Sequence, residues 1–382
     1  MLSKGVAETF KKYGVSLGSR VVVNSRCSMQ TLESLQKLSR QQLIPAWHPR
    51  LSLASLAEHM TDFVVTEDDS SASTAAALCK SLGIYHLPTG LDVPDMQPSP
   101  HPENSQIVLQ VNSGHRCVQL SQDQLQAQVA NLRELVTFKN DDKLVIMNLG
   151  YTSSWIPFGL AFQASNPVFL GTLQIEKFPG QPFSLACDFE TFRELKDFMN
   201  IHKDLSHRIS RIIVDLPPNF ADLEISTFEF KELYWHCTTP ETGSLFLLNR
   251  DGLEICKKSA TSLRTKNERL QASGPAAKAD YLDRPRSTKL INDGEWVTTP
   301  YAMTIQNDSV TWHVSPPSLR EEPVKDLMKP DWSVDSQPLS RMRLRRGSKN
   351  QRYWTNKSQV SAFYRKRYFH RQTMKSRAVV RK

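Results

Sequence analysis

The chain has 382 residues, of which 39% are hydrophobic and 23% are charged, and this balance is ordinary for a globular protein and unlike that of fibrous or disordered chains. It has no apolar run of about 18 residues and no signal-peptide core at its start, so we expect no transmembrane segment. The six cysteines lie far apart without zinc-ligand spacing, which predicts an intracellular protein, cytoplasmic by default.

Residues 1–90 alternate between helical and strand patterns. The runs "RVVVN" and "DFVVTE" are typical of strands, whereas "MQTLESLQKLSRQQ" and "STAAALCKSLG" have helical periodicity. This alternation predicts a parallel sheet covered by helices. We assign residues 1–90 to a first β/α subdomain segment and the proline-rich residues 91–105 to a linker.

The same alternation resumes in residues 106–250, which we assign to a second β/α subdomain. Strands are predicted at "IVLQV", "KLVIMNL", "RIIVDL", "ELYWHC" and "SLFLLN". Helices are predicted over residues 121–136, "WIPFGLAFQA" and "FETFRELKDFMNIH". Residues 251–316 are short, polar and strand-like, which predicts a smaller β-rich region. The expected fold class is therefore α/β.

Residues 317–382 are a proline-containing linker and a basic tail. The formal net charge of the chain is +9, but residues 341–382 contain 15 of the 48 basic residues and no acidic ones. The rest holds 33 basic and 39 acidic residues, a net charge of −6. Aromatic residues interleave with the basic ones, so the tail could bind RNA, DNA or an anionic membrane surface. The predicted contacts of the tail with such a polyanion are Trp354, Arg365, Lys366 and Arg367. The alternative is a basic terminus without a dedicated partner.

Three segments in the same order resemble one known family. They are "YGVSLGSRVVV", "LIPAWHPRLSLASLAEHMTDFVVTEDD" and "RLQASGPAAKADYLDRPRSTKLINDGEWVTT". They are similar to the N-terminal domain of the adenylate-forming superfamily, which includes acyl-CoA synthetases, luciferases and adenylation domains. The resemblance covers residues 5–316 and implies two β/α subdomains with a small β-rich region. It also implies ATP or AMP with Mg²⁺ as cofactors and a carboxylate or acyl ligand.

The family's phosphate-binding loop corresponds to "VNSGHRCVQLS". Ser113 and Gly114 match the start of the family pattern, and Arg116 could contact a phosphate. Only three residues separate Gly114 from Val118, fewer than the family has, and the family's lysine is missing. The resemblance therefore implies a shortened loop that has lost most of its phosphate-wrapping N–H groups. The other interpretation is a plain joint of strand, turn and helix.

Two further family sites are altered. In "YWHCTTPETGS", Glu241 occupies the position of the family's Mg²⁺-binding glutamate, and Thr239 lies near the position of its threonine. Tyr301 lies near the place of an aspartate that binds the ribose, and a tyrosine hydroxyl could still bond a ribose. Glu241 could equally be a solvated carboxylate in a turn.

Three functional hypotheses follow. We favour a degenerate, non-catalytic pseudoenzyme for binding or scaffolding, because the loop, the ribose aspartate and the family's C-terminal domain are altered or missing together. The 66 residues after 316 are too few for that domain. The first alternative is a divergent ATP-dependent carboxylate or acyl-CoA ligase, although Ile156 replaces a histidine of acyl-CoA synthetases and CoA is not expected. The second alternative is a nucleic-acid-associated protein that binds through its tail.

Overall fold

The computed structural model describes most of residues 18–313. The described ranges are 18–52, 55–56, 59–66, 69–87, 107–113, 116–138, 143–217, 220, 232–282, 288–289 and 291–313. The described part of the chain forms two compact units, one made of residues 18–25 and 34–87, the other of residues 26–33 and 107–313. The predicted linker and the basic tail lie outside the described residues.

The first unit contains a parallel four-stranded sheet. Its strands, in chain order, are β1 (Arg20–Asn24), β2 (Ile44–Trp47), β3 (Phe63–Thr66) and β4 (Tyr85–Leu87). They lie in the spatial order β4-β3-β1-β2. Helix α1 (Met29–Arg40) follows β1, and helix α2 (Asp69–Leu82) follows β3. Val22, Ala46, Val64 and Cys79 form part of a core between sheet and helix, which confirms the predicted β/α pattern.

The second unit is built around a seven-stranded sheet. Its strands are β7 (Lys143–Met147), β8 (Val168–Leu170), β9 (Phe183–Cys187), β10 (Ile209–Asp215), β11 (Leu233–Thr239), β12 (Gly243–Leu248) and β13 (Ile255–Lys258). The spatial order is β13-β12-β11-β10-β9-β7-β8, and the strands from β8 to β11 are parallel. Strand β9, "FSLAC", is buried throughout and was not predicted, because it is short and contains no β-branched residue.

Helices of the second unit follow its strands. They are α3 (Gln122–Leu135), α4 (Trp155–Phe162), α5 (Phe189–Ile201) and α6 (Lys203–Arg208). Ser121 and Asp188 cap α3 and α5, because each side chain accepts a hydrogen bond from a backbone N–H of the first turn. Helix α4 is apolar on nearly all sides and is buried accordingly.

The segment that precedes α3 differs from the prediction. Residues 107–121 were expected to form a strand, a turn and a helix start. Instead, β5 (Ile107–Ser113) and β6 (Arg116–Ser121) pair as antiparallel strands, with Ser113 opposite Arg116. The expectation of a plain strand–turn–helix joint is therefore wrong. Val118 and Leu120 alternate with polar residues and are buried, which is the pattern of a half-buried strand.

The remaining strands confirm the predicted β-rich region. They are β14 (Ser262–Lys266), β15 (Arg269–Ser273), β16 (Asn292–Asp293), β17 (Trp296–Gln306) and β18 (Ser309–Trp312). Their pairings are antiparallel. Within this region Tyr301 points to the seven-stranded sheet, where its hydroxyl donates to backbone carbonyls.

Candidate functional site

A cavity of about 390 Å³ opens in the second unit. It lies where β9, β10 and β11 end, the position at which parallel sheets commonly bind ligands. Its polar lining includes Thr152, Ser153, Ser154, Asp188, Glu190, Asp215, His236, Thr239 and Ser244. Its apolar lining includes Val111, Leu120, Leu132, Pro157, Phe189, Leu216, Pro217 and Pro300. The volume is in the range of small-molecule sites, and the mixture of walls suits a ligand with one polar end.

Three of the polar side chains that line the cavity form a hydrogen-bonded chain. His236 Nδ1 lies 2.8 Å from Asp215 Oδ1, and His236 Nε2 lies 2.9 Å from Ser244 Oγ. The three residues come from the neighbouring strands β10, β11 and β12, and Asp215 is the direct cross-strand partner of His236. His236 and Ser244 are almost fully buried. The sheet register therefore aligns an acid, an imidazole and a hydroxyl along one line.

The histidine ring is fixed from the side as well. The ring of Phe158 in α4 meets His236 edge to face, with centroids 6.2 Å apart and planes at 83°. Because both ring nitrogens are hydrogen-bonded and an aromatic ring packs against the imidazole, the imidazole has little freedom to rotate.

Asp188 forms a second polar cluster in the cavity wall. Its Oδ1 accepts from the backbone N–H of Thr191 at 2.7 Å, and its Oδ2 accepts from Asn148 Nδ2 at 2.6 Å and Thr152 Oγ1 at 3.1 Å. Burial raises the pKa of the Asp188 carboxyl to about 6 from 3.8, although the hydrogen bonds from Thr191 oppose the rise, and the charge of Asp215 adds to it. Asp188 therefore changes charge near neutral pH.

Charge in this cavity is one-sided. Among the described residues that line it, Asp188, Glu190 and Asp215 are carboxyl groups, and none is a lysine or an arginine. A triphosphate placed there would face carboxylates without a cationic side chain to offset them. The described lining therefore fits a neutral or apolar ligand better than the phosphates of a nucleotide.

Ser153 adds a hydroxyl that no other described residue uses. It is 5% exposed and lines the cavity, and its hydroxyl oxygen has no hydrogen-bond partner among the described residues. A buried hydroxyl without a partner costs free energy.

The predicted phosphate-loop residues are only partly described. Ser113 and Arg116 are paired backbone positions of β5 and β6, and Gly114 lies outside the described residues. Since Ser113 and Arg116 are already partners, two residues remain for the connection between the strands. The proposed phosphate contacts of Ser113, Gly114 and Arg116 stay predictions.

Glu241 and Thr239 lie at the turn between β11 and β12. Glu241 is buried, and its Oε1 accepts from the hydroxyl of Tyr281 at 2.7 Å. Thr239 lines the cavity, and its hydroxyl lies 2.9 Å from that of Thr242. Within the described ranges, no group of three acidic, histidine or cysteine side chains is arranged to hold a metal. Mg²⁺ binding by Glu241 and cofactor contact by Thr239 stay predictions.

The turn at Glu241 is held against helix α3. Gly243 has a φ of +64°, and a Cβ there would lie 2.4 Å from Gln128 Cγ. Gln128 in turn donates to the carbonyl oxygen of Pro240 at 3.0 Å. A glycine is thus required by both the left-handed backbone and the close approach of the helix, and this contact positions Ser244 next to it.

Tyr301 is buried, and its hydroxyl is hydrogen-bonded within the protein. It is 1% exposed, and its hydroxyl lies 2.9 Å from the carbonyl oxygen of Leu216 and 2.8 Å from that of Thr238. Burial, together with Cys237 and Asp215, raises the pKa of its phenol well above the usual value. Tyr301 lines the cavity, and a role in binding ribose stays a prediction.

The basic tail lies outside the described residues, and with it the predicted contacts Trp354, Arg365, Lys366 and Arg367. Polyanion binding therefore stays a prediction. In the part of the chain that the structure describes, no helix is long and apolar enough to cross a membrane.

Sequence reasoning missed Asp215, His236, Ser244 and Asp188. A signal existed, because each is a polar residue within or directly after an apolar strand run, as in "IIVDL", "LYWHC" and "SLACD". The strand order and register that bring the first three together cannot be read from those runs.

Comparisons with known proteins identify the fold. No protein-family model matches the chain, and no curated protein matches it in sequence. Among solved structures, apo MatB from Rhodopseudomonas palustris has a TM-score of 0.62 at 15% identity, covering 80% of this chain and 70% of that one. The o-succinylbenzoate CoA synthetase MenE from Bacillus subtilis has a TM-score of 0.62 at 10% identity, with 82% and 71% covered.

Two other structures agree with these. The amide bond synthetase McbA from Marinactinospora thermotolerans has a TM-score of 0.60 at 14% identity, with 81% and 72% of the chains covered. ATP-bound MatB has a TM-score of 0.62 at 14% identity, with 80% and 70% covered. The resemblance seen in the sequence motifs is therefore confirmed at the level of structure, and the chain has the fold of the N-terminal domain of the adenylate-forming enzymes.

Proposed function

We propose that this protein does not adenylate carboxylates and instead binds a small acyl-type molecule in the cavity of its second unit. The observation that carries the proposal is the lining of the cavity, where three carboxyl groups and no described lysine or arginine face the space. Adenylation depends on neutralising phosphate charge during the displacement. An acidic lining opposes that chemistry and leaves the apolar walls as the main source of affinity.

The altered family sites support the same conclusion. The pairing of Ser113 with Arg116 leaves two residues for a loop that would have to surround phosphates. The carboxylate of Glu241 is engaged by Tyr281, and the hydroxyl of Tyr301 is engaged by two carbonyls. To donate to a ribose, Tyr301 would have to give up a carbonyl partner, which costs free energy in a buried site, and Glu241 already uses one of its acceptor positions on Tyr281.

The ligand class follows from the two kinds of group that line the cavity. The first kind is leucine, valine and proline side chains, and the second includes Ser153, whose hydroxyl has no partner among the described residues. A short fatty or aromatic acyl compound would bury its hydrocarbon against the first and place its carbonyl near the second. A neutral ester or amide is favoured over a free carboxylate, because the cavity is already acidic.

The first test is carboxylate-dependent exchange of pyrophosphate into ATP, with Mg²⁺ and a panel of fatty and aromatic acids. We expect no exchange above that of a Glu241→Ala protein. Exchange clearly above that control would overturn the loss of adenylation, and Glu241 would then be the first candidate for Mg²⁺ binding. That result would favour the alternative, a divergent ATP-dependent ligase.

The second test measures ligand binding by thermal shift with methyl octanoate and methyl benzoate as probes. Binding should raise Tm in the wild type, since a ligand that binds only the folded state stabilises it. Ser153→Ala should weaken binding about two- to tenfold, the worth of one hydrogen bond. Ser184→Ala is the matched control, because Ser184 is also buried and its hydroxyl also lacks a partner among the described residues, but it is not among the residues that line the cavity. Equal shifts in all three proteins would remove Ser153 from the site.

A further inference from the structure

We propose that Asp215, His236 and Ser244 form a nucleophilic triad that cleaves an activated acyl compound, an ester or a thioester, in this cavity. The inference rests on the acyl ligand proposed above but does not depend on the loss of adenylation. It adds a reaction that the adenylate-forming fold does not by itself imply, since fold alone does not establish function.

The hydrogen-bond pattern sets the direction of proton transfer. The carboxylate of Asp215 can only accept, so His236 Nδ1 carries the hydrogen across the 2.8 Å contact. In the neutral ring Nε2 is then an acceptor, and the hydroxyl of Ser244 donates to it at 2.9 Å. This tautomer prepares His236 to take the proton of Ser244.

The surroundings restrict the three groups to this arrangement. Asp215 and His236 are paired across parallel strands, and Phe158 packs against the imidazole. Ser244 directly follows Gly243, whose left-handed backbone is held by contact with Gln128. A triad is recognised by such geometry and not by its order along the chain. All three residues also line the cavity in which the acyl group is proposed to bind.

The reaction would proceed in two balanced steps. Ser244 Oγ attacks the acyl carbon while its proton passes to His236 Nε2, and the bond from that carbon to the leaving oxygen or sulfur then breaks. The proton moves from His236 to the departing alcohol or thiol. Water next attacks the acyl–serine ester, gives a proton to His236, and releases the acid as Ser244 recovers its hydrogen. Asp215 acts as a positioning residue that holds the imidazole and stabilises its charged form.

The test is labelling of the intact protein with an alkyl fluorophosphonate. Ser244 Oγ would form a bond to phosphorus as the phosphorus–fluorine bond breaks, and fluoride leaves. We expect a single phosphonate adduct that peptide mass spectrometry places on Ser244. The labelling rate should fall at least about a hundredfold in His236→Gln, the scale of general-base catalysis. Ser184→Ala, which changes a buried serine outside the cavity, should label like the wild type.

A second readout isolates the role of Asp215. Asp215→Asn should lower kcat for p-nitrophenyl butyrate by about a hundredfold or more, while KM stays within about twofold, because the altered residue acts through its hydrogen bond to the imidazole and the substitution keeps its size. Circular dichroism of each variant checks that it is folded. A folded wild type that is not labelled at Ser244 would overturn the triad, and so would labelling that proceeds equally in His236→Gln. Ligand binding without labelling would reject the triad alone, whereas absence of both would reject the proposed ligand class as well.

Discussion

Replacing Asp188 with asparagine should change how stability depends on pH. Burial raises the pKa of this carboxyl from 3.8 to about 6 in the folded protein, whereas the unfolded chain keeps the ordinary value. The folded state therefore binds this proton more tightly than the unfolded chain does. Protonation of Asp188 thus stabilises the folded state, and this contribution is fully present below about pH 4 and is lost as pH rises through about 6.

The size of this effect follows from the shift in pKa. A rise of about 2.2 units corresponds to about 3 kcal/mol over the whole titration, and about 2 kcal/mol of it falls between pH 4.5 and pH 7.5. Asp188→Asn lacks a titrating group at this position. Between pH 4.5 and pH 7.5 the wild type should therefore lose about 2 kcal/mol more of its free energy of unfolding than the variant loses. The absolute stability of the variant also changes, because its amide would meet the donor Asn148 Nδ2 that now lies 2.6 Å from Asp188 Oδ2.

The assay is urea denaturation at intervals from pH 4.5 to pH 7.5, followed by tryptophan fluorescence. Asp197→Asn, on the exposed side of helix α5, controls for the removal of one carboxyl group. The difference between wild type and Asp188→Asn should shift steadily with pH and level off above about pH 7. A difference that is constant across the range would refute the assignment of a raised pKa to Asp188.

Two other predictions concern Tyr301 and the tail. Tyr301→Phe should lower the free energy of unfolding by about 1–3 kcal/mol, because two buried carbonyls lose their shared donor. Unchanged thermal stability together with weaker AMP binding would instead support a ribose contact. If the tail binds nucleic acid, replacing residues 365–367 together with alanine should reduce the slope of log affinity against log salt. For a single strand, the slope should fall by up to about 0.7 for each phosphate that the variant no longer neutralises. Trp354→Ala should weaken binding by about 1–3 kcal/mol while leaving that slope nearly intact, and undiminished RNA binding after deletion of residues 341–382 would refute a tail site.

The sequence by itself determined the fold class and most of its elements. Apolar runs such as "KLVIM" and "IIVD" are long enough and sufficiently β-branched to predict buried strands, and helix α3 begins directly after its capping residue, Ser121. The motif order between residues 5 and 316 carried the resemblance that the structural comparisons confirm. These features are local or depend only on order along the chain, so they can be predicted without knowledge of the packing.

Only the tertiary structure decided what the cavity contains. Strand β6 forms because it pairs with β5 in a hairpin. The sequence of this segment alone favoured a turn directly before the helix. Asp215, His236 and Ser244 are separated along the chain, and their contact requires β10, β11 and β12 to be neighbours in one register. A one-residue slip in that register would turn a side chain to the opposite face of the sheet. The polar residues were visible in the sequence, but their meeting in one site is a property of strand pairing, which is set by the packing of the whole sheet.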